Sequence, residues 1–571
     1  MVRALIGWGL FSFAVLQVYE PVMHGLHLPE WTLGAVVVSL GLGFPVTATL
    51  GWIFDLTAKG IARTPEGQGV GFMGPRLAVL LVGLGVLAAV PGLGWYLRVH
   101  VLASPAGEAR ATSTPPMVPS IAVLPFEDLS QRRDQAYFSE GVSEEIRNAL
   151  ARLDGLRVAG HASASSFQGK REDLANIGAK LGVGAVLEGS VRRDGSRVRV
   201  TAQVSDVKSG SQLWSQNYDR ELTDIFAMQD EIAAAVVAAL RVTLLPGQAP
   251  SSQAYRTGNP EAYNQYLIGH RFFARESRDG MRRAVAAFEK AVVLDPSYAP
   301  AQAGLALALV LEGSFDWTGR GWAERGQRAM AAADRAVALA PNLAEASATR
   351  GKVRSWVAWD WSGARADLER AVSLNPGDAL VQQQYAALLA SLGRLPEAIG
   401  AGRRATELDP LRGNAWQLLG YWYNLNGQFG LAGAALDRAL ELNPDSEVVW
   451  MRSFEARLWS GDPESALALL PGAHSSCLTC QAMAQHDLGH AAESQRALDA
   501  LLAKVGDAAP YLIAEVHAWR GEHDLAFEWL ERAAAKHDPD LVFAKVDLNL
   551  RGLRADPRWK AFLRTMNLPA D

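Results

Sequence analysis

The 571-residue sequence predicts a multi-domain chain. Its parts are N-terminal transmembrane helices, a small α/β domain on a mixed sheet, and an all-α repeat solenoid. Three observations predict this. Charge-free apolar stretches fill much of residues 1–101, strand and helix signals alternate over 119–245, and one helical pattern returns every 34 residues beyond 261. A single core rarely grows past about 250–300 residues, so division is expected on length alone.

Three segments, at about 4–19, 31–54 and 77–97, are long or apolar enough to enter a bilayer. Trp31 to Phe54 carries no charged residue over 24 positions. At ~1.5 Å per residue it spans a hydrocarbon core of about 30 Å with some tilt. Leu77 to Leu97 is equally uncharged, and Pro91 is expected to kink it. Ala4 to Tyr19 is shorter and fits a span or a re-entrant segment. Lys59, Arg63 and Arg76 lie between the last two stretches, whereas Glu20 to Glu30 has no Lys or Arg. The positive-inside rule therefore puts the N-terminus in the cytoplasm and everything after Leu97 outside, although Arg98 opposes this. "GVGFMG", Gly69 to Gly74, has nucleotide-loop spacing, but no strand is expected before it and Pro75 follows, so a hinge is expected.

Hydrophobic residues make up 49% of the chain, and mean hydropathy is +0.02. The formal net charge of −5 lacks the basic excess of a general nucleic-acid binder. Two cysteines are too few for a disulfide scaffold or a set of zinc modules.

Residues 102–118, rich in Pro, Ser, Ala and Thr, predict an extended linker. Behind them Ile121, Val123 and Leu124 form a strand stopped by Pro125. "YFSEGVSEEIRNALARL" is a helix with Ile146, Ala149, Leu150 and Leu153 on one stripe. "LRVAGHASASSF" predicts a strand and "DLANIGAKLGV" a helix. Residues 185–210 form a hairpin joined by Asp194-Gly195. "SQLWSQNYDREL" adds a third strand, and "IFAMQDEIAAAVVAAL" closes the domain as a helix. Residues 246–260 are a second linker.

The stretches "SIAVLPFEDLS", "YFSEGVSEEI", "LGVGAVLEGSVRRDG", "LWSQNYDREL" and "DIFAMQDEIA" cover nearly the whole of a domain over residues 119–245. They resemble the TolB-like N-terminal domain family, related to the flagellar FlgO-type domain. The resemblance implies a non-catalytic, envelope-facing recognition domain with no catalytic residues to transfer. Read alone, Glu140, Glu144 and Glu145 are acid–base candidates, yet three acids in a helix's first turns more often complement its dipole. His161, on a strand or loop, fits a surface or hydrogen-bonded structural histidine. Trp214 and Tyr218 share a strand face, where packing is the simpler role.

From 261 to about 540 the chain repeats. Pro376, Pro410 and Pro444 close equivalent units 34 residues apart. Ala364, Ala398, Ala432 and Ala466 hold one position in the unit, and Gly393, Gly427 and Gly461 another. Trp416 and Trp450 mark first helices. The pattern resembles the tetratricopeptide repeat: small residues let paired helices approach, Gly makes the turn, and Pro stops the second helix. Pro296 and Pro341 end outer units, with an insertion expected around "GSFDWTGRGW". About eight units are expected, followed by a cap over 541–571. Such solenoids present a concave protein-binding face.

Cys477 and Cys480, with His474, His486 and His490 nearby, raise a metal or redox site. On a helix the cysteines share one face, His486 points away, and His490 falls in a turn, so four ligands do not converge. A local disulfide or buried thiols are expected, most simply in an oxidising compartment.

No P-loop, metalloprotease, hydrolase or kinase signature is present. The expectation is a non-enzymatic scaffold or assembly subunit, with no catalytic, metal or cofactor residues. It would sit in a bacterial inner membrane with its soluble domains in the periplasm. Expected partners are proteins, through the solenoid and the membrane helices, and the lipid bilayer, but no nucleic acid. Relatives implied by the resemblance often carry a cyclase or winged-helix domain before the membrane region, and neither is expected here. The rivals are a regulator whose α/β domain binds a ligand, and a thiol oxidoreductase using Cys477 and Cys480.

Overall fold

The computed structural model describes residues 54–57, 60–63, 119–131, 135–153, 155–170, 172–240, 255–275, 277–314, 321–470 and 477–569. The three apolar stretches lie outside them except for Phe54, as do Gly69–Gly74, the linker 102–118 and His474. Among the described residues no helix is long and apolar enough to cross a membrane. The chain divides into two bodies, Met1–Pro116 and Met117–Asp571.

In the first body, β1 (Phe54–Thr57) pairs antiparallel with β2 (Gly60–Arg63). This corrects the expectation that no strand precedes Gly69. Leu56 and Ile61 are backbone partners across a tight connection, a pattern too short to stand out beside the apolar run before it.

The second body begins with β3 (Ser120–Val123), β4 (Glu127–Asp128), α1 (Ala136–Ala151), β5 (Arg157–Val158), α2 (His161–Ser165) and α3 (Leu174–Leu181). Three ten-residue strands follow, β6 (Ala185–Asp194), β7 (Arg197–Asp206) and β8 (Gln212–Glu221), then α4 (Ile225–Ala239). The sheet order is β5-β3-β6-β7-β8, with β4 also on β6. β5, β3 and β6 run parallel, and β6 to β8 antiparallel. Alternation along β3 and β6 sends Ile121, Val123 and Leu187 into one core and Ala122 and Val186 into another, as a sheet covered on both faces requires.

Three local expectations need correction. The strand expected over 156–167 is only Arg157–Val158, and Ser and Ala then start α2 at His161. Those residues have neither β-branching nor alternation to extend a strand. The hairpin turn is Gly195-Ser196, because Asp194 still pairs with Arg197, and Gly195 takes the left-handed conformation (φ +61°). Finally, α1 starts at Ala136, so Glu144 and Glu145 lie in its third turn and not at its positive end.

Eight helix pairs follow among the described residues. Repeat 1 is α5 (Pro260–Phe273) with α6 (Arg278–Leu294), and repeat 2 is α7 (Ala299–Ser314) with α8 (Trp322–Leu339). Repeat 3 is α9 (Ala344–Val353) with α10 (Trp361–Leu374), joined through a π-turn at Arg354–Ala358. Repeat 4 is α11 (Ala379–Ser391) with α12 (Leu395–Leu408), and repeat 5 is α13 (Gly413–Leu425) with α14 (Phe429–Leu442). Repeat 6 is α15 (Glu447–Trp459) with a short α16 (Pro463–Leu467). Repeat 7 is α17 (Leu478–Asp487) with α18 (Ala491–Val505), and repeat 8 is α19 (Pro510–Trp519) with α20 (His523–Ala535). Most of the expected insertion, 315–320, lies outside the described residues.

Ala364, Ala398, Ala432 and Ala466 are all 0% exposed. Each sits where the second helix meets the first, and a longer side chain would push the pair apart. Gly393, Gly427 and Gly461 have φ of +84°, +71° and +87°, a conformation costly for residues with a Cβ.

The C-terminal residues do more than cap the array. Two 3-10 turns, Pro539–Phe543 and Arg551–Leu553, precede α21 (Pro557–Thr565). The segment runs back along the first helices: Phe543 packs on Trp356, Tyr421 and Trp422. The Trp361 indole N–H donates to the Met566 carbonyl at 2.7 Å.

Ala432→Leu overpacks the repeat 5 interface and should cost about 1–3 kcal/mol, read as a lower melting temperature. Gly430→Ala is the control, because nothing lies within 4 Å of its new methyl, and its midpoint should hold or rise.

Candidate functional site on the first-helix face

The α/β domain and the solenoid share one core. Tyr263 of α5 is buried against Phe226 of α4, ring centroids 4.7 Å apart, and Phe138 of α1, 6.5 Å apart. Its hydroxyl accepts from Gln229 Nε2 at 3.0 Å. Arg256, from the expected linker, pairs with Asp230 and covers the Phe226 ring. Residues 255–259 are therefore part of the joint.

A second contact closes the joint four repeats along. Asp409, between α12 and α13, is 1% exposed. Its carboxylate accepts from the Ser163 amide at 2.8 Å, the Ala162 amide at 3.3 Å and the Ser163 hydroxyl. The Ser163 oxygen in turn accepts from the Leu411 amide at 2.8 Å, and the Gly160 amide donates to the Leu408 carbonyl at 2.8 Å. The solenoid thus caps the first turn of α2, where amides lack partners within the helix. A side chain at Gly160 would collide with Asp409.

The acid candidates and His161 meet beside this contact. Glu144 accepts from Arg147 Nη2 at 2.6 Å and lies 2.7 Å from His161 Nδ1. Burial acts to raise Glu144, but the charges of Arg147 and His161 outweigh it and hold its carboxyl well below the ordinary value. Glu144 in turn raises His161. Burial pulls the neighbouring His270 of α5 down to about 4, and pushes Glu145 up to about 7. Glu140 is bonded by the Gln168 amide. This is a structural ion-pair network, and among the described residues no group of three His, Cys, Asp or Glu is placed to hold a metal. Trp214 and Tyr218 pack together at 6.4 Å.

The cysteines lie at the start of α17, with Cys477 at its N-cap and Cys480 buried. Their Cα atoms are 5.3 Å apart and their sulfurs are paired. His486 is exposed, and His490 Nδ1 lies 2.7 Å from Gln485 Oε1. Neither converges on the sulfurs.

The first-helix face carries two lanes. Along one lies the C-terminal segment, held by Phe543 and by a buried polar set. Tyr511 donates to Asp547 at 2.6 Å, Asn549 to Glu515 at 2.9 Å, and the Trp459 indole to Asn549 at 2.8 Å. Burial, then the charge of Asp547, push the Glu515 carboxyl well above its ordinary value. Among the described residues nothing covers the other lane, one turn toward each helix N-terminus in repeats 3 to 5. Lys352, Gln384 and Gln417 lie four residues before Trp356, Leu388 and Tyr421, which border the occupied lane. A cavity of about 300 Å³ follows it, with Arg275, Lys352, Gln383, Gln384, Asn414 and Gln417 in its wall. Nothing in the sequence pattern marked these amides, since Gln and Asn on a helix usually signal a solvated face.

Two outcomes test the joint. Asp409→Ala should strip hydrogen-exchange protection from the amides of residues 160–165 and leave those of β6 and β7 protected. The histidines give opposite pH dependences. His161, raised above 6.5, contributes stability that is full below that value and fades as pH rises through its higher folded value. His270, lowered, costs stability as pH falls below 6.5. Between about pH 7.5 and 5.5, His270→Gln should therefore melt higher on acidification and His161→Gln lower. The shift will be modest, because the His161 side chain is 42% exposed.

A tetratricopeptide-repeat family model matches residues 413–446, which are α13, α14 and the loop beyond. A protein of Rhizobium meliloti (strain 1021) named putative adenylate cyclase 3 is 36% identical over 230 residues, 39% of this chain and 39% of its own. The chain thus spans about two-fifths of that curated relative. Among solved structures, the Thermus thermophilus repeat protein TTC0263 is 20% identical, with TM-score 0.30, covering 34% of this chain and 99% of its own. PilW, a type IV pilus biogenesis factor, is 15% identical, with TM-score 0.29, covering 42% and 98%. With the 34-residue spacing and the helix pairs, the family match identifies the C-terminal region of this chain as an array of tetratricopeptide repeats.

Proposed function

We propose that this chain is a non-enzymatic, membrane-anchored scaffold, presenting a TolB-like domain and a repeat solenoid to protein partners on the periplasmic side of a bacterial inner membrane. The observation that carries the scaffold role is the joint at Asp409. A flexibly tethered ligand sensor has no need of a buried carboxylate reaching into the other domain. A scaffold gains from it, because a fixed angle between two surfaces lets both engage one partner. The charge-free stretches and the Lys and Arg bias support the anchor and its orientation. The sequence resemblance supports the domain's recognition role. Cyclase chemistry is named for the Rhizobium protein, and the match to this chain covers 39% of that protein's length. In this reading Cys477 and Cys480 form a local staple in an oxidising compartment.

Purification of the intact chain in mild detergent through a C-terminal tag, with mass spectrometry of what co-purifies, tests the proposal against a form beginning at residue 119. Protein partners should be retained by the intact chain, and alkylation without reductant should find no free thiol. Partners kept by the shorter form place recognition in the soluble body, and partners lost with residues 1–118 place it in the anchor. If neither form retains a partner, the scaffold role fails.

A further inference from the structure

The two edges of the mixed sheet differ. At one, β5 is met by the solenoid: Arg157 Nη1 donates to the Glu407 carbonyl at 3.4 Å, and the Gly160 amide just beyond the strand donates to Leu408 at 2.8 Å. At the other lies β8, whose one strand neighbour among the described residues is β7. At ten residues it is long for an edge. Natural sheets usually keep such strands short or blunt them with Pro or Lys, and β8 contains neither.

The register decides which backbone groups are left over. The Leu222 amide donates to the Ser196 carbonyl at 2.6 Å, and Arg197 stands opposite Glu221. Bonded and unbonded pairs alternate along an antiparallel ladder, so the bonds to β7 fall on Arg220, Tyr218, Gln216 and Trp214. Ser215, Asn217 and Asp219 therefore turn their amides and carbonyls outward, and all three residues are exposed. Among the described residues one of these groups is bonded, the Asp219 carbonyl, which accepts from Arg220 Nη1 at 3.0 Å.

The side chains along the edge suit a second copy of the chain. Each charge on β8 is answered within its own chain: Asp219 by Arg199 at 2.7 Å, Arg220 by Glu231 at 2.9 Å and Glu221 by Arg197 at 3.5 Å. Two such edges approach without net repulsion. Antiparallel pairing about a two-fold axis at Asn217 keeps each face of the sheet on its own side. It sets Ser215 against Asp219 of the other copy and Trp214 against Arg220, a cation beside an indole. No like charges stand opposite. The Arg220–Glu231 pair also brings α4 alongside the edge. Ala227, Glu231, Ala234 and Ala238 are exposed on that helix and recur at helical spacing. The alanines leave room for the same helix of a second copy. A two-fold axis thus supplies the matching edge and the matching stripe from one sequence.

We propose that β8 is a homodimer edge: two copies of this chain join antiparallel along Ser215–Asp219, α4 beside α4, into one continuous sheet. The pairing is independent of the scaffold role.

Light scattering of the intact chain in mild detergent, across a dilution series, tests it. The protein mass should be that of a dimer that falls to a monomer on dilution. Asn217→Pro should give a monomer at every concentration, because the amide it removes points away from β7. Ala234→Glu, on the exposed stripe, should weaken the dimer at least about tenfold by setting like charges together. Asn217→Cys should cross-link to itself under copper–phenanthroline, since residues directly opposite lie ~5.5 Å apart, within disulfide reach. Arg199→Cys, one strand inward, should not. If the proline unfolds β8, the helix variant and the cross-link still decide. A monomeric mass throughout overturns the proposal, as does a dimer that survives both Asn217→Pro and Ala234→Glu, which would place the contact elsewhere. A monomer that loses a co-purifying protein on Asn217→Pro would give the edge to another protein's strand, and overturns it too.

Discussion

Close approach between the two helices of each repeat is the constraint on which the rest of the second body depends. It is met by a methyl group at one place in the unit, Ala364, Ala398, Ala432 and Ala466, each fully buried. A side chain of that size lets two helices meet with little rotamer entropy lost. The opposing helix then supplies the large residues, such as Trp422 and Phe454, both 0% exposed. First helices consequently fall on one surface, and only on such a surface can one segment touch Trp356, Tyr421 and Tyr511 in turn.

The joint between sheet and solenoid follows a different economy. Tyr263 contributes mainly apolar area, whereas Asp409 contributes direction. A buried carboxylate with two amide donors and a hydroxyl donor tolerates little displacement, since each lost bond leaves charge in a low-dielectric site. The apolar contact supplies adhesion and the polar contact fixes the angle. Repeats 1 to 4 are spanned between the two, which stiffens a region that would otherwise flex as a spring.

What was legible in the sequence was what recurs or acts locally. The Pro and Gly positions set helix ends within one unit, and the structure has Gly393, Gly427 and Gly461 left-handed as the turns need. The joint was not readable, because Ser163 and Asp409 are 246 residues apart and neither belongs to a motif. Glu144 was read as a helix-end residue because its burial comes from α2 and α5, remote in sequence or irregular in pattern. The strand expected at His161 failed where Ser and Ala carry no periodic signal. The amide lane was invisible for the same reason as the joint: Gln384 becomes unusual only when its neighbours on α9 and α13 are in place.

The C-terminal segment changes what kind of object the array is. A plain solenoid has two free ends, and each repeat is stabilised only by its neighbours, so it can fray or fold piecemeal from either side. Here Phe543 and Asn549 bind repeats 3, 5, 6 and 8 from the last part of the chain. A row of dominoes becomes a hoop with a clasp. During synthesis the hoop stays open until Phe543 and Asn549 have been added to the chain. A chain cut short by even a few dozen residues is therefore left with its aromatic inner surface bare, a ready signal for cellular disposal.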